Sequence, residues 1–320
     1  MDKTSILLAA ALIFSAAISV PAAAQTPTFV TLGTAGGPIP NPQRSQPANA
    51  VIIGNDVLLL DSGDGAAERM AAAGIRLDQV RAIFLTHLHL DHTAGLAGII
   101  GLRWMNGFAG PFRVYGPVGT RALVAGITAS MEPARRAGYG LDNGFGNYPV
   151  VVEVVELRDG ETVEPIPGAR MSIAENSHYS FTAGAAVERG ASLSFKLEAG
   201  GRSIVYTGDT GPSDAVTRLA KGADLLVSEV QDYDALTAII RKQAPGMPVP
   251  VYANLTEHLR RHHLSAEDVG RMAKAAGVGQ VVLTHLGPAP GQGEAEAMFL
   301  PGVRKFYAGP VAVAQDLSRY

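Results

Sequence analysis

The chain has 320 residues, 47% of them hydrophobic and 17% charged, with no cysteine and a formal net charge of −3. That composition excludes a disordered chain, which would bury too little apolar surface to fold, and a disulfide-stapled scaffold. It also excludes any thiolate nucleophile or ligand, and 26 Lys+Arg against 29 Asp+Glu leave no basic footprint for gripping a polyanion.

Residues 1–24 place Lys3 ahead of an apolar run over 6–20 and close on the small residues Ala22 and Ala24. This is the pattern of a secretory signal peptide cleaved between Ala24 and Gln25, and the run is short for a bilayer span. The expectation is a periplasmic or secreted protein, mature over 25–320, with no stable membrane association after cleavage. Short strands are expected at 28–32, 50–53 and 56–60, a helix at 65–73, an apolar strand at 81–86 and a helix at 117–130. Residues 135–149 have no period and read as a loop. Strands follow at 150–156, 171–175, 192–197 and 203–206. A helix at 213–220, a strand at 224–228, a helix at 266–276 and a strand at 280–284 then alternate in βαβ order. Two lobes of similar content, split near 188–191, are expected.

The strongest local signal is Thr86-His87-Leu88-His89-Leu90-Asp91-His92, directly after the apolar strand. Residues two apart on an extended chain face the same way, so His87 and His89 can approach one metal together. As the chain bends into a helix, Asp91 and His92 turn toward a second. His178, Asp209 and His285 each follow an apolar strand, where sheet-based sites collect polar groups. With no Cys, any metal must be held by nitrogen and oxygen donors.

In order and spacing these motifs, together with Thr31-Leu32-Gly33-Thr34 and Asp61-Ser62-Gly63, closely resemble those of the metallo-β-lactamase superfamily. The resemblance spans almost all of residues 25–320. It implies an α/β fold, a four-layer αββα sandwich with metals at one edge between two sheets. It puts His87, His89 and His178 on one metal and Asp91, His92 and His285 on another, with Asp209 bridging. Zinc is the default, two per chain, with manganese or iron compatible. A shared water activated to hydroxide would make the chain a metal-dependent hydrolase. Asp61 would orient a ligand by hydrogen bonding.

The absent Cys argues against the β-lactamase branch that uses a thiolate ligand. Ser228-Glu229-Val230 and His263-Leu264-Ser265 resemble the ribonuclease Z and arylsulfatase side, where a Glu and a His pair and the His serves the substrate's departing or non-bridging oxygen. Asp91, His263 and Glu229 are therefore the expected catalytic residues. The plainer reading of His258, His262 and His263 is a solvated cluster ahead of a helix capped by Ser265 and Asp268.

Only 30 residues lie between His178 and Asp209, too few for the basic arm with which ribonuclease Z holds transfer RNA. The expected substrate is thus a small ester, whether phosphodiester, sulfate ester or lactone, and nucleic acid is not an expected partner. Candidate pocket walls are 104–112, 139–148 and the proline-rich insert 233–259, read as a semi-rigid lid or a packing or homodimer contact. Competing functions are a β-lactam or lactone hydrolase, a mononuclear iron dioxygenase and a non-catalytic metal-binding protein.

Overall fold

A computed structural model describes residues 25–37, 39–108, 112–138, 151–180 and 190–320. The expected signal peptide, the loop 139–148 and part of the expected 188–191 boundary lie outside them. Among the described residues, six strands form a first sheet: β1 (Thr28–Gly33), β2 (Ala48–Ile53), β3 (Asp56–Ser62), β4 (Val80–Phe84), β5 (Phe112–Gly116) and β6 (Val152–Glu156), in that spatial order. Seven form a second: β7 (Thr162–Ile166), β8 (Ala169–Glu175), β9 (Leu193–Ala199), β10 (Arg202–Tyr206), β11 (Leu225–Gln231), β12 (Gln280–Gly287) and β13 (Val311–Val313), also consecutive neighbours. Each sheet is mixed. β1 to β3 are antiparallel and β3 to β6 parallel; β7 to β10 are antiparallel and β10 to β13 parallel.

Strand alternation sets the layers. Leu58, Leu60 and Phe84 of the first sheet meet Met171, Phe195, Tyr206 and Val227 of the second in one buried cluster between the sheets. The residues in between face outward. Leu59, Ile83 and Val114 pack with Met70, Leu96, Ile99 and Val124 from helices on one side. Leu226, Val281 and Leu283 pack with Val269, Met272, Phe299 and Val303 on the other. The result is the expected four-layer αββα sandwich, with near-continuous apolar runs where strands are covered on both faces.

The division of the chain differs from the expectation. It passes from the first sheet to the second between β6 and β7, over 157–161, whereas 188–191 lies between β8 and β9, antiparallel partners in one sheet. The insert also differs. It forms two packed helices, Tyr233–Gln243 and Val249–His262, the second with proline in its first turn, where a missing N–H costs nothing. The described part of 104–112 is not a wall of the metal rim: Asn106 and Phe108 line a separate cavity with Ile75 and Leu77. Helix Leu96–Met105 carries them to the start of β4, where the Arg103 guanidinium donates to the carbonyls of Leu77 and Val80 and lies 4.5 Å over the Phe112 ring. The metal motif follows the opposite end of that strand. Residues 109–111 lie outside the described residues.

The segment after β13 crosses back to the first sheet. Phe29 and Tyr320 exchange N–H···O bonds, and Thr31 N donates to Ser318 O. The Asp316 carboxylate accepts from the backbone N–H groups of Thr34 and Ser45 and from Arg69.

Leu58 is fully buried between the sheets. Leu58→Ala is expected to destabilise the fold by about 2–5 kcal/mol through lost transfer energy and a residual cavity, read as a lower urea midpoint at unchanged slope; a midpoint within error of the parent would contradict this core assignment.

Candidate metal centre

The polar residues singled out in the sequence converge at one rim of the sandwich, where strands of both sheets end. β3 ends on Asp61 and Ser62, and β4 runs into Thr86, His87 and His89. His89 precedes the one-turn helix Leu90–Thr93, which carries Asp91 and His92. From the second sheet come His178 after β8, Asp209 after β10, Glu229 within β11 and His285 within β12. Two of these positions are backbone exceptions: Asp61 and His285 have φ of 59° and 45°. At His285 the pairing of β11 with β12 shifts register, Glu229 opposing Thr284 and Val230 opposing Leu286. A bulge of this kind re-aims one side chain without disturbing the rest of the strand. Gly208, ahead of Asp209, has φ of 57°, and a Cβ there would lie 2.7 Å from the Thr86 side chain. Glycine lets the two sheets' loops close on each other.

Hydrogen bonds fix the imidazole tautomers. The Asp61 carboxylate, fully buried, accepts from the Thr86 N–H and hydroxyl, from the Tyr206 hydroxyl at 2.8 Å and from His92 Nδ1 at 2.8 Å. Since the Thr86 hydroxyl donates to Asp61, its oxygen is left to accept from His87 Nδ1 at 3.0 Å. His178 Nδ1 donates to the His262 carbonyl at 2.9 Å. Each of these rings therefore carries its lone pair on Nε2, the state a metal ligand needs.

Those lone pairs face one another. His87 Nε2 and His178 Nε2 lie 3.0 and 3.3 Å from His89 Nδ1. His92 Nε2 lies 3.5 Å from Asp91 Oδ2 and 3.3 Å from Asp209 Oδ1, and His285 Nε2 lies 3.6 and 3.1 Å from the same two oxygens. The other Asp209 oxygen, Oδ2, lies 4.0 Å from His87 Nε2, so this carboxylate reaches both groups. Zinc–nitrogen bonds of about 2.0–2.1 Å in a tetrahedron put donor atoms about 3.3 Å apart, so both groups match the spacing a cation imposes. His92 Nε2, His285 Nε2 and Asp209 Oδ1 are buried with no hydrogen-bond partner among the described residues, a costly arrangement unless an ion satisfies them. The donor set fits two metal ions.

The local fields agree with ligand chemistry. Burial disfavours a charged ring and holds His178 down to about 2. Asp91 is also held at about 2, where burial is overcome by the neighbouring His285 and His92. Burial disfavours a charged His92 too, but the neighbouring Asp209 and Asp61 carboxylates more than offset it and push that ring's pKa up.

Beside this centre, Glu229 is fully buried, accepts from the Thr210 N–H, and takes the Nδ1 hydrogen of His263 at 2.7 Å. The expected Glu229–His263 pair is thus formed, and Ser265 caps the following helix in a reciprocal box with Asp268. Three participants escaped the sequence reading. Tyr206 and Gln231 are the last residues of largely apolar strands, yet Tyr206 anchors Asp61 and the Gln231 amide lies 2.9 Å from His263 Nδ1. The third, the His262 carbonyl, is a backbone atom.

Residues 57–286 match the model of the beta-lactamase superfamily domain. The chain belongs to this superfamily. It is 31% identical over 300 residues to Ribonuclease Z of Mycobacterium bovis (strain BCG / Pasteur 1173P2), a match covering 91% of this chain and 96% of the relative. Among solved structures it resembles the short form of human tRNase Z, with a TM-score of 0.60 at 20% identity over 92% of this chain and 98% of that one. It also resembles a diphosphatase of the PhnP family, with a TM-score of 0.61 at 18% identity over 92% and 97%. The chain is a metallo-β-lactamase-fold hydrolase. The expectation that nucleic acid is not a partner is overturned by the Mycobacterium relative, whose name denotes RNA cleavage and nearly all of whose length this chain matches. A net charge of −3 and a 30-residue interval between His178 and Asp209 do not outweigh that match.

Asp61 holds two ligand-bearing segments through Thr86 and His92. Asp61→Ala is expected to lower zinc affinity about 10- to 100-fold, the usual cost of losing an outer partner of a ligand, measured by competition with a chromophoric chelator; parental affinity would show that Asp61 does not set the ligands.

Proposed function

We propose that the chain is a binuclear-metal phosphodiesterase whose substrates include RNA. The observation that carries this reading is the pair of donor groups sharing the Asp209 carboxylate beside the buried Glu229–His263 pair. The names of the relatives support the bond: Ribonuclease Z for the relative at 31% identity, and a diphosphatase among proteins of like fold.

In this reading His87, His89 and His178 would hold one metal and Asp91, His92 and His285 the other, with the Asp209 carboxylate within reach of both. Zinc suits these donors; manganese and iron are compatible alternatives. Metals bound there would supply polarisation of phosphoryl oxygens and a lowered pKa for water. The side chains do the rest. Asp91, ionised and partly exposed at the mouth, accepts a hydrogen bond from the attacking water and orients it. His263, its Nδ1 held by Glu229, serves the departing oxygen from Nε2, and Glu229 stabilises the ring when it carries a second proton. The His92 and His87 rings, locked through Asp61 and Thr86, keep the centre ready without rearrangement at the moment of reaction.

The test is a panel of bis-nitrophenyl phosphate, a short RNA with a 3′ extension, nitrophenyl sulfate, a homoserine lactone and a chromogenic cephalosporin, assayed with zinc-replete protein. Turnover is expected on the two phosphodiesters, and His263→Ala is expected to lower kcat about 10²- to 10⁴-fold while metal content stays at the parental level. Turnover confined to the sulfate, lactone or lactam sinks the phosphodiesterase reading, and parallel loss of zinc and activity in His263→Ala sinks the role given to His263.

We also propose that residues 1–24 direct export and are removed. Lys3, the apolar run and the Ala22-x-Ala24 end support it. Mass spectrometry of the protein recovered from its native host is expected to find an N-terminus at Gln25; an intact Met1 start on the functional protein would refute it.

A further inference from the structure

A second group of imidazoles flanks the first set of metal donors. One ring nitrogen of each of His178, His258 and His263 lies within 4.8 Å of the others, and the His258 ring centre is 5.4 Å from that of His178 and 5.5 Å from that of His263. His258 belongs to helix Val249–His262 of the insert, not to any of the strands that supply the other donors.

The same tautomer logic that readies the main centre applies here. His262 Nε2 lies 3.4 Å from the Ser180 carbonyl, which only accepts, so His262 donates from Nε2 and accepts at Nδ1. Its Nδ1 lies 3.0 Å from Nδ1 of His258. His258 is therefore the donor in that contact and carries its lone pair on Nε2. His263 Nδ1 lies 2.7 Å from Glu229 Oε2 and 2.9 Å from the Gln231 amide; with the Glu229 carboxylate as the acceptor, the His263 lone pair is on Nε2. His178 already turns its Nε2 to His89, in the first donor group. That leaves His258 and His263 as two neutral imidazole donors side by side, each held by a partner behind it, the arrangement in which outer hydrogen bonds orient metal ligands.

We propose that His258 and His263 form an additional, inhibitory site for a divalent transition cation, zinc foremost, beside the two-metal centre. Two imidazoles with water completing the shell suit zinc but bind it more weakly than the fuller donor groups nearby. A cation held there occupies the Nε2 lone pair of His263 and stops that atom from holding or passing a proton. The inhibitory part rests on the role given above to His263; the binding part does not.

The test starts from the full chain loaded to saturation of its tight zinc sites and dialysed to equilibrium against rising free zinc, with bound metal counted by elemental analysis. The parent is expected to take up one equivalent more than His258→Ala, which keeps the tight equivalents. His262→Ala, which removes the acceptor behind His258 but keeps the backbone carbonyl that holds His178, is expected to weaken the extra equivalent about 10- to 100-fold. In parallel, excess zinc is expected to suppress bis-nitrophenyl phosphate turnover by the parent and not by His258→Ala. Equal zinc uptake by the parent and both variants overturns the site, and equal zinc inhibition of the parent and His258→Ala overturns its effect. Should the parent turn over no phosphodiester, the functional reading above fails while the uptake measurement still decides whether the site exists.

Discussion

One buried carboxylate carries the arrangement on which everything else at the rim depends. Asp61 ends a strand of the first sheet and accepts from four groups: a backbone amide and a hydroxyl of Thr86, His92 Nδ1, and the hydroxyl of Tyr206 from the second sheet. Stripped of those donors, a fully buried carboxylate would be prohibitively costly. With them, it ties the sheets together and dictates which nitrogen of His92 carries hydrogen. Thr86 passes the same instruction to His87. A single acceptor thus sets the protonation pattern of ligands in both donor groups, and the φ of 59° at Asp61 is the local strain accepted for that placement.

Much of the centre was legible because its signals are local. His87 and His89 share a face by the two-residue period of extended chain, and His178, Asp209 and His285 each stand after an apolar run. Glu229 and His263 could be paired through the resemblance of their flanking triplets to a branch of the superfamily. What could not be read depends on three-dimensional closeness or on backbone detail. Tyr206 and Gln231 sit in strands whose apolar neighbours mask them. The bulge at His285 and the close approach of Gly208 to Thr86 leave no trace in hydropathy.

The fold was legible as layers and less so as boundaries. Helix Ala266–Ala276 announces itself with a Ser-x-x-Asp box and closes on Gly277 in the left-handed conformation, so its ends were readable. Helix Gln292–Arg304 contains Gly293, Pro301 and Gly302, residues that argue against a helix, and it forms because Ala295, Phe299 and Val303 bury one face against the second sheet. Prolines in the insert suggested a semi-rigid lid or a packing contact with no helix in it, yet Pro248 and Pro250 start a helix because its first turn has no use for their missing N–H groups. The described part of 104–112 stands away from the metal rim for a simpler reason: a ten-residue helix spans about 15 Å, enough to move the chain from one end of the sheet to the other.

The segment that follows β13 has a consequence for life in a crowded solution. An edge strand with unpaired amides is an invitation to a neighbour's strand, and β1 stands at the edge of its sheet. Here Phe29 and Thr31 are already paired by Ser318 and Tyr320 of the same chain, and Arg202 donates to the carbonyls of both Pro27 and Tyr320. The flank of the sandwich is in effect hemmed with its own backbone. A stray strand arriving there would have to peel that hem away before it could polymerise.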